Sequence, residues 1–187
     1  MNKFIYLLFL CFQFQSNAID LQLKAGWSMT TGISGPVDSF LNDNNEIDIV
    51  LSYYQKKWKS AYQSENINIL IKNLKTLSSL SKDQAYYLHI KSDIKLSVFN
   101  RVNMSKIPLK SGWNFVGGIN KPFSKLILQY PNIKKIYHLK NNEWQVSSSL
   151  NNSLILEANE AYWIQFALDD SSDGVFEQSI FGISLFQ

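Results

Sequence analysis

Few residues of this chain could do acid–base or metal chemistry. It has two histidines, His89 and His138, and a single cysteine, Cys11. Neither histidine has a second His or a Cys at the spacing of a zinc site, and no Gly-x-Ser-x-Gly segment offers an activated serine. The sequence therefore predicts no catalytic residue, no metal site and no cofactor. We expect both histidines to be solvated strand residues.

An acidic stretch near the C-terminus has part of the pattern of a calcium-binding loop. Asp169, Ser171 and Asp173 place oxygen ligands at alternate positions, and Gly174 follows them. Such a loop needs a bidentate Glu at its twelfth position, where this chain has Ile180. The pattern favours an ordinary acidic turn.

An internal duplication sets the elements that would position any site. Residues 23–27 (Leu-Lys-Ala-Gly-Trp) recur as residues 109–113 (Leu-Lys-Ser-Gly-Trp), 86 positions later. Pro36 and Trp58 recur at the same offset as Pro122 and Trp144. The strand from Ala85 recurs 76 positions later, so the first copy holds ten extra residues. Such a period indicates a two-repeat architecture.

The hydrophobic pattern indicates mostly strands. Residues 19–23 alternate apolar and polar side chains, and residues 47–54 are rich in β-branched and aromatic types. Short helices are expected after Pro36 and Pro122, and a longer amphipathic helix at residues 65–75. We therefore predict an all-β-dominated fold with short helices, built of two tandem pseudo-repeated β modules packed together.

The repeated motif resembles a tandem repeat of bacterial secreted and surface proteins, Leu-x-x-Gly-Trp-Asn-aliphatic-x-Gly, followed by a Trp strand and a Gly-aromatic strand. The resemblance covers most of residues 21–90 and 107–167, although Ser28 replaces Asn and both Ala85 and Ala161 replace Gly. It implies an envelope or extracellular setting and no settled chemistry. We divide the chain into a signal peptide (1–18), a first module (19–100), a second module (101–168) and a strand-like tail (169–187).

Aromatic residues are the main candidates for both packing and binding. Residues that recur in both copies are predicted to form the structural core, with each Trp anchored between sheet and helix: Gly26, Trp27, Trp58, Gly112, Trp113 and Trp144. Neighbouring strand residues face opposite sides, so one ring of each adjacent pair is expected to point outward as a ligand surface: Tyr86, Tyr87, Tyr162 and Trp163.

The N-terminus predicts export. Lys3 precedes an apolar run from Phe4 to Phe14, and small residues then lead to Ala18, after which we expect cleavage by signal peptidase. The run is too short to span a membrane. Cys11 lies inside it, so the mature chain has no cysteine and no disulfide. A net charge of +3 with scattered lysines argues against nucleic acid as a partner.

Three functions fit these observations. The first is a non-enzymatic exported protein, periplasmic, cell-surface or secreted, that binds a protein or glycan partner or joins a surface assembly. The second is a carbohydrate-binding module that uses the exposed strand aromatics. The third is a divergent enzyme, which a polar cleft around His89 or His138 would favour.

Overall fold

Strands dominate the structure, as the sequence predicts. The computed structural model describes residues 18–64, 67–99, 109–140, 142–148 and 154–167. Its helices are short and its strands form several small sheets. The predicted all-β-dominated class is confirmed.

The first half of the chain contributes β1 to β9 with two short helices. In chain order these elements are β1 (Ala18–Leu23), β2 (Gly26–Thr31), β3 (Gly35–Pro36), α1 (Val37–Asp43), β4 (Ile47–Tyr54), β5 (Lys57–Tyr62), α2 (Ile69–Lys72), β6 (Lys75–Thr76), β7 (Ser79–Leu80), β8 (Ala85–Ile90) and β9 (Ile94–Phe99).

The second half contributes β10 to β15 with one helix. These elements are β10 (Gly112–Gly117), β11 (Lys121–Pro122), α3 (Phe123–Gln129), β12 (Ile133–Lys140), β13 (Glu143–Ser148), β14 (Ile155–Leu156) and β15 (Ala161–Phe166).

The two main sheets share one strand order. The first runs β2-β8-β4-β5-β6 and the second runs β10-β15-β12-β13. Their registers also agree, since Gly26 pairs with Ile90 and Gly112 pairs with Phe166. In the first half the extra residues supply β6, which pairs in parallel with β5. No strand of the described residues pairs with the corresponding edge of β13.

Local sequence explains the short elements. Pro36 and Pro122 occupy the positions before α1 and α3 with extended backbone, where a fixed φ and a missing N–H suit a helix start. The tight β4–β5 turn needs positive φ at Gln55 and Lys56, and the β12–β13 turn needs it at Asn142.

The longer helix predicted at residues 65–75 is wrong in extent. Only Ile69–Lys72 is helical, and residues 65 and 66 lie outside the described part of the chain. Only Ile71 of this helix is buried, while Ile69 and Leu70 are exposed. The spacing of apolar residues suggested a stripe, but the chain turns at Asn73 to pair Lys75–Thr76 with β5.

Each main sheet is buried on both faces. The outer face of the first sheet packs against α1 and the β1–β9 ribbon. The outer face of the second sheet packs against α3. On their inner faces the two sheets meet in one cluster with residues from both halves, including Leu51, Tyr87, Phe115 and Trp163. The four repeated Trp residues belong to this cluster. They therefore lie between the two sheets and not between a sheet and α1 or α3 as predicted, because those helix-side cores are filled by aliphatic residues, Phe123 and the Tyr86/Tyr162 rings.

Residues at corresponding positions of the two copies touch each other across the inner cluster. The Trp163 indole Nε1 donates a hydrogen bond of 2.6 Å to the Tyr87 hydroxyl. A Cβ added at Gly117 would lie 2.6 Å from Cβ of Thr31, its counterpart 86 positions earlier. The two sheets are therefore in close contact at these equivalent strand positions.

Several predictions concern residues outside the described ranges. These are the signal peptide before Ala18, the Asp169–Gly174 turn and the C-terminal tail. Among the residues that are described, no helix has the length and hydropathy needed to cross a membrane.

Candidate functional site

The adjacent strand aromatics do not form an exposed surface. Tyr86, Tyr87, Tyr162 and Trp163 all have 0% of their surface exposed. Tyr86 and Tyr162 face the helix-side cores, and Tyr87 and Trp163 face the inner cluster. The expectation that one ring of each pair points outward is wrong, because strand alternation assigns two faces and in this fold both are covered.

Their hydroxyl groups are used internally. Burial raises the pKa of the Tyr87 phenol, and the hydrogen bond from Trp163 opposes that shift. Burial, with the nearby Glu160 carboxylate, also raises the pKa of Tyr162. The Tyr162 hydroxyl donates to Glu160 Oε2 (2.8 Å) and accepts from the Glu157 N–H (2.7 Å). These groups stabilise the fold and are not available to a ligand.

Among the described residues, clefts instead lie where the halves meet, and we name two of them by the strand that each follows. The β2 cleft has a volume of about 150 Å³ and includes residues 27–29 of β2 and residues 138–140 of β12. The β10 cleft has a volume of about 400 Å³ and includes residues 113–117 of β10 and residues 53–56 of the β4–β5 hairpin. Each cleft thus lies between a Gly-Trp strand of one half and a hairpin of the other.

In the β2 cleft the second half completes the edge of the strand. The Asn142 side chain accepts from the Trp27 N–H (2.8 Å) and donates to the Ala25 carbonyl (2.9 Å). At the other end of β2, the Thr31 N–H donates to the Asn159 carbonyl at 3.2 Å. Thr30 forms an antiparallel bridge with Glu160. The chain therefore bonds to both ends of this edge, at Trp27 and Thr31, with its own amide groups.

The β2 cleft also holds a histidine. His138 is buried, with its Nε2 3.2 Å from Glu160 Oε2. Its Nδ1 is buried without a hydrogen-bond partner among the described residues. Burial lowers the pKa of His138, Glu160 acts in the opposite direction, and Lys140 adds to the lowering. The expectation of a solvated strand histidine is wrong here, because β12 packs beside β2 and β15 and the His138 ring lies against Tyr162 of β15, with centroids 4.8 Å apart.

The second histidine is placed differently. His89 Nδ1 lies 2.6 Å from Asp48 Oδ1, and its side chain is about one-third exposed. Its ring lies against Trp27, with centroids 4.9 Å apart. The two histidines therefore do not share a site.

The walls of the β10 cleft combine aromatic and charged side chains. Tyr53, Tyr54, Trp113 and Phe115 supply rings, and Lys56, Lys110 and Asp83 supply charge. Trp113 and Phe115 are largely buried, whereas Tyr54 is 51% exposed at the rim. The lining residues that the structure describes include no histidine, serine or threonine.

Asn114 fixes the loop at one end of the β10 cleft. Its side-chain oxygen accepts from the Lys110 N–H (2.8 Å). Its side-chain nitrogen donates to the carbonyls of Lys110 (2.7 Å) and Gly112 (3.0 Å). This is the Asn of the Gly-Trp-Asn motif, and the first copy has Ser28 at the same place.

Sequence reasoning identified Trp113 but missed the rest of the β10 cleft. Tyr53 lies in β4, Lys56 in the β4–β5 turn and Asp83 in the turn before β8, and only the packing of the two halves brings them near β10. One sequence difference could have pointed to this cleft. At corresponding positions of the two hairpin turns, the first copy has Lys56 and the second has Asn142. Of the four Trp residues predicted to form the structural core, Trp113 is buried. Trp27, Trp58 and Trp144 are only partly buried.

Metal ligands do not cluster in the described ranges, where no three His, Cys, Asp or Glu side chains come together as a cation site. No protein-family model, no curated protein and no solved structure matches this chain.

Proposed function

We propose that this protein is a non-enzymatic, exported binding protein that holds its partner in the β10 cleft. The observation that carries the proposal is the difference between two corresponding clefts. The chain fills the edge of β2 with its own groups, whereas about 400 Å³ lies beside β10. A concave site with aromatic walls and a few charged groups suits a ligand.

Export is proposed from the N-terminal sequence. Protease treatment of intact producing cells, combined with fractionation, tests it. Digestion on intact cells or recovery from the medium is expected of a surface or secreted protein, and protection until the envelope is opened is expected of a periplasmic one. Recovery of an uncleaved chain in the cytoplasmic fraction would contradict export.

Site-specific photocrosslinking in the producing cell tests the cleft. A photoreactive residue replaces Tyr54, which is 51% exposed at the rim, and the matched control replaces Leu128, which is 78% exposed on α3. We expect a discrete adduct from position 54 that position 128 does not give. Equal adducts from the two positions, or none from position 54, would contradict a binding role for the cleft.

A carbohydrate-binding function is the second candidate, and the aromatic wall favours it. The ring that reaches solvent there is Tyr54, which is 51% exposed at the rim of the β10 cleft, whereas the four strand aromatics of the adjacent pairs are buried. Glycan binding that Tyr54→Ala weakens, in a protein with unchanged melting temperature, would favour this candidate.

A divergent enzyme is the third candidate, and the β2 cleft supplies its specific observation. Ser28, His138 and Glu160 line the same cleft, and Glu160 could orient the imidazole as a general base. Turnover of an ester or amide substrate that disappears in His138→Gln, with the fold retained, would replace the binding proposal.

A further inference from the structure

We propose that the β10 cleft binds an extended peptide of another protein, which adds to β10 as an antiparallel strand and presents an acidic residue at its C-terminal end to Lys56 and Lys110. This inference rests on the proposed function, because it names the chemistry of the partner at the same cleft. Three observations carry it: the course of the cleft, the direction of the main-chain groups of β10, and the distribution of charge.

The cleft follows the edge of β10 and not one of its faces. Five consecutive residues, 113–117, line it. Successive side chains of a strand point to opposite faces, so a cleft that touches all five must run beside the backbone. Among the described residues, β15 is the one strand that pairs with β10, which places β10 at an edge of its sheet.

The pairing register shows which main-chain groups face that edge. In the first half the N–H groups of Trp27 and Thr31 point away from β8 and bond to the second half. β10 pairs with β15 in the same register as β2 with β8. Because main-chain groups alternate in direction along an antiparallel pair, the N–H and C=O of Phe115, midway along the strand, face the β10 cleft.

The filled counterpart shows what such an edge accepts. The edge of β2 bonds to the Asn142 amide and to the Asn159 main-chain carbonyl. At the corresponding hairpin position the first half has Lys56, also with positive φ. An ammonium group donates but cannot accept a hydrogen bond, so Lys56 cannot reproduce the acceptor of Asn142. A peptide main chain supplies both donor and acceptor groups, as in recognition by strand addition.

The antiparallel direction of the peptide follows the corresponding edge of β2, where Thr30 bridges Glu160 in the antiparallel sense, and charge then places the acidic residue. Lys110 precedes the start of β10 at Gly112. At its other end Gly117 contacts Thr31, whose hydroxyl donates to the Gln84 carbonyl at 2.8 Å, and this places Asp83 near that end. A strand antiparallel to β10 begins near Asp83 and ends near Lys110. An acidic residue at its C-terminal end therefore faces lysine.

Selection from a phage-displayed library of random seven-residue peptides tests the proposal with the full mature chain. We expect enriched sequences with alternating apolar residues and an Asp or Glu toward their C-terminal end. The selected peptide is then synthesised with N-methylation at each main-chain nitrogen in turn. Methylation at alternate residues should weaken binding about tenfold or more, while methylation at intervening residues leaves it unchanged, since only every second N–H reaches β10.

The charge is tested with Lys56→Glu, and Lys125→Glu on α3 is the matched control because Lys125 is also exposed and lies outside the cleft. Lys56→Glu should weaken binding about tenfold, and a peptide with its acidic residue replaced by Lys should regain affinity. Lys125→Glu should bind as the unaltered protein does.

Several outcomes would overturn the proposal. They are no enriched peptide, enriched peptides without the acidic end, N-methylation effects without a period of two, or equal binding by the two charge variants. Self-association through the cleft, detected by sedimentation, would replace the peptide with a second copy of the chain. Glycan binding that depends on Tyr54 without peptide binding would overturn the peptide and leave the proposed function standing. Absence of any ligand together with equal photocrosslinking would overturn both.

Discussion

Strands β2 and β10 begin with nearly the same sequence and occupy corresponding places in their sheets, yet their outer edges have different neighbours. The edge of β2 is completed by Asn142 and Asn159 of the second half. The edge of β10 faces a cleft of about 400 Å³. The motif therefore specifies the strand and its inner partner, whereas residues of the opposite half decide whether the outer edge is filled.

The largest effect is expected where both halves depend on one residue. Trp163 is fully buried, and its ring lies against Tyr53, Trp58 and Phe115. Trp163→Ala should lower the free energy of unfolding by about 3–5 kcal/mol, because it leaves a cavity in the shared cluster. Urea denaturation measures this. Trp144→Ala is the control, and its partly exposed ring predicts a smaller loss. Equal losses would mean that the buried centre of the shared cluster contributes no more to stability than its partly exposed edge.

The next effect concerns the close approach of corresponding positions. Gly117→Ala places a methyl group 2.6 Å from Thr31 Cβ, so the sheets must move apart. We expect a loss of about 1–3 kcal/mol in unfolding free energy, measured by thermal denaturation. Unchanged stability would show that Thr31 and Gly117 do not hold the halves at this distance.

A matched pair of variants tests the two hairpin tips directly. Asn142→Gly keeps the positive φ but removes the amide that bonds to Ala25 and Trp27, and should cost about 1–2 kcal/mol. Lys56→Gly makes the corresponding change beside β10 and should cost no more than about 0.5 kcal/mol. Chemical denaturation of both proteins gives the difference. A similar cost at both tips would remove the contrast between the two edges.

The smallest expected effect is a pH dependence of the unfolding free energy that arises from His138 in the β2 cleft. Burial lowers the pKa of His138, so the native state resists a proton that the unfolded chain accepts near pH 6.5. The stability from neutral His138 is present above about pH 6.5 and is lost as the pH falls toward the lower native pKa. His138→Gln should reduce the slope of unfolding free energy against pH in this range. An unchanged slope would contradict the assignment.

Sequence periodicity predicted most of the fold. Residues 47–54 and 85–90 form strands with the expected bounds, and helices follow Pro36 and Pro122. Alternation along a strand distinguishes two faces but does not say what covers each of them. For this reason one ring of each pair, Tyr86/Tyr87 and Tyr162/Trp163, was expected at a surface, and all four rings are buried.

The candidate site was less predictable because it is assembled by packing. Lys56 and Asp83 are turn residues with no local pattern that relates them to Trp113, and they line one cleft only because the two sheets meet face to face. The burial of His138 has the same origin, since it depends on coverage by distant segments. Local sequence gives the elements, while long-range packing gives the site.

The contacts between corresponding residues bear on how such a chain could have arisen. When identical chains associate about a twofold axis, residues near the axis meet their own copies. Thr31 with Gly117, and Tyr87 with Trp163, meet in this way within a single chain. A dimer of one ancestral module would have carried two identical edges, each open or each filled. Joining the copies in one chain allows Asn142 and Lys56 to diverge, so that Asn142 bonds to the edge of β2 while the edge of β10 borders a cleft.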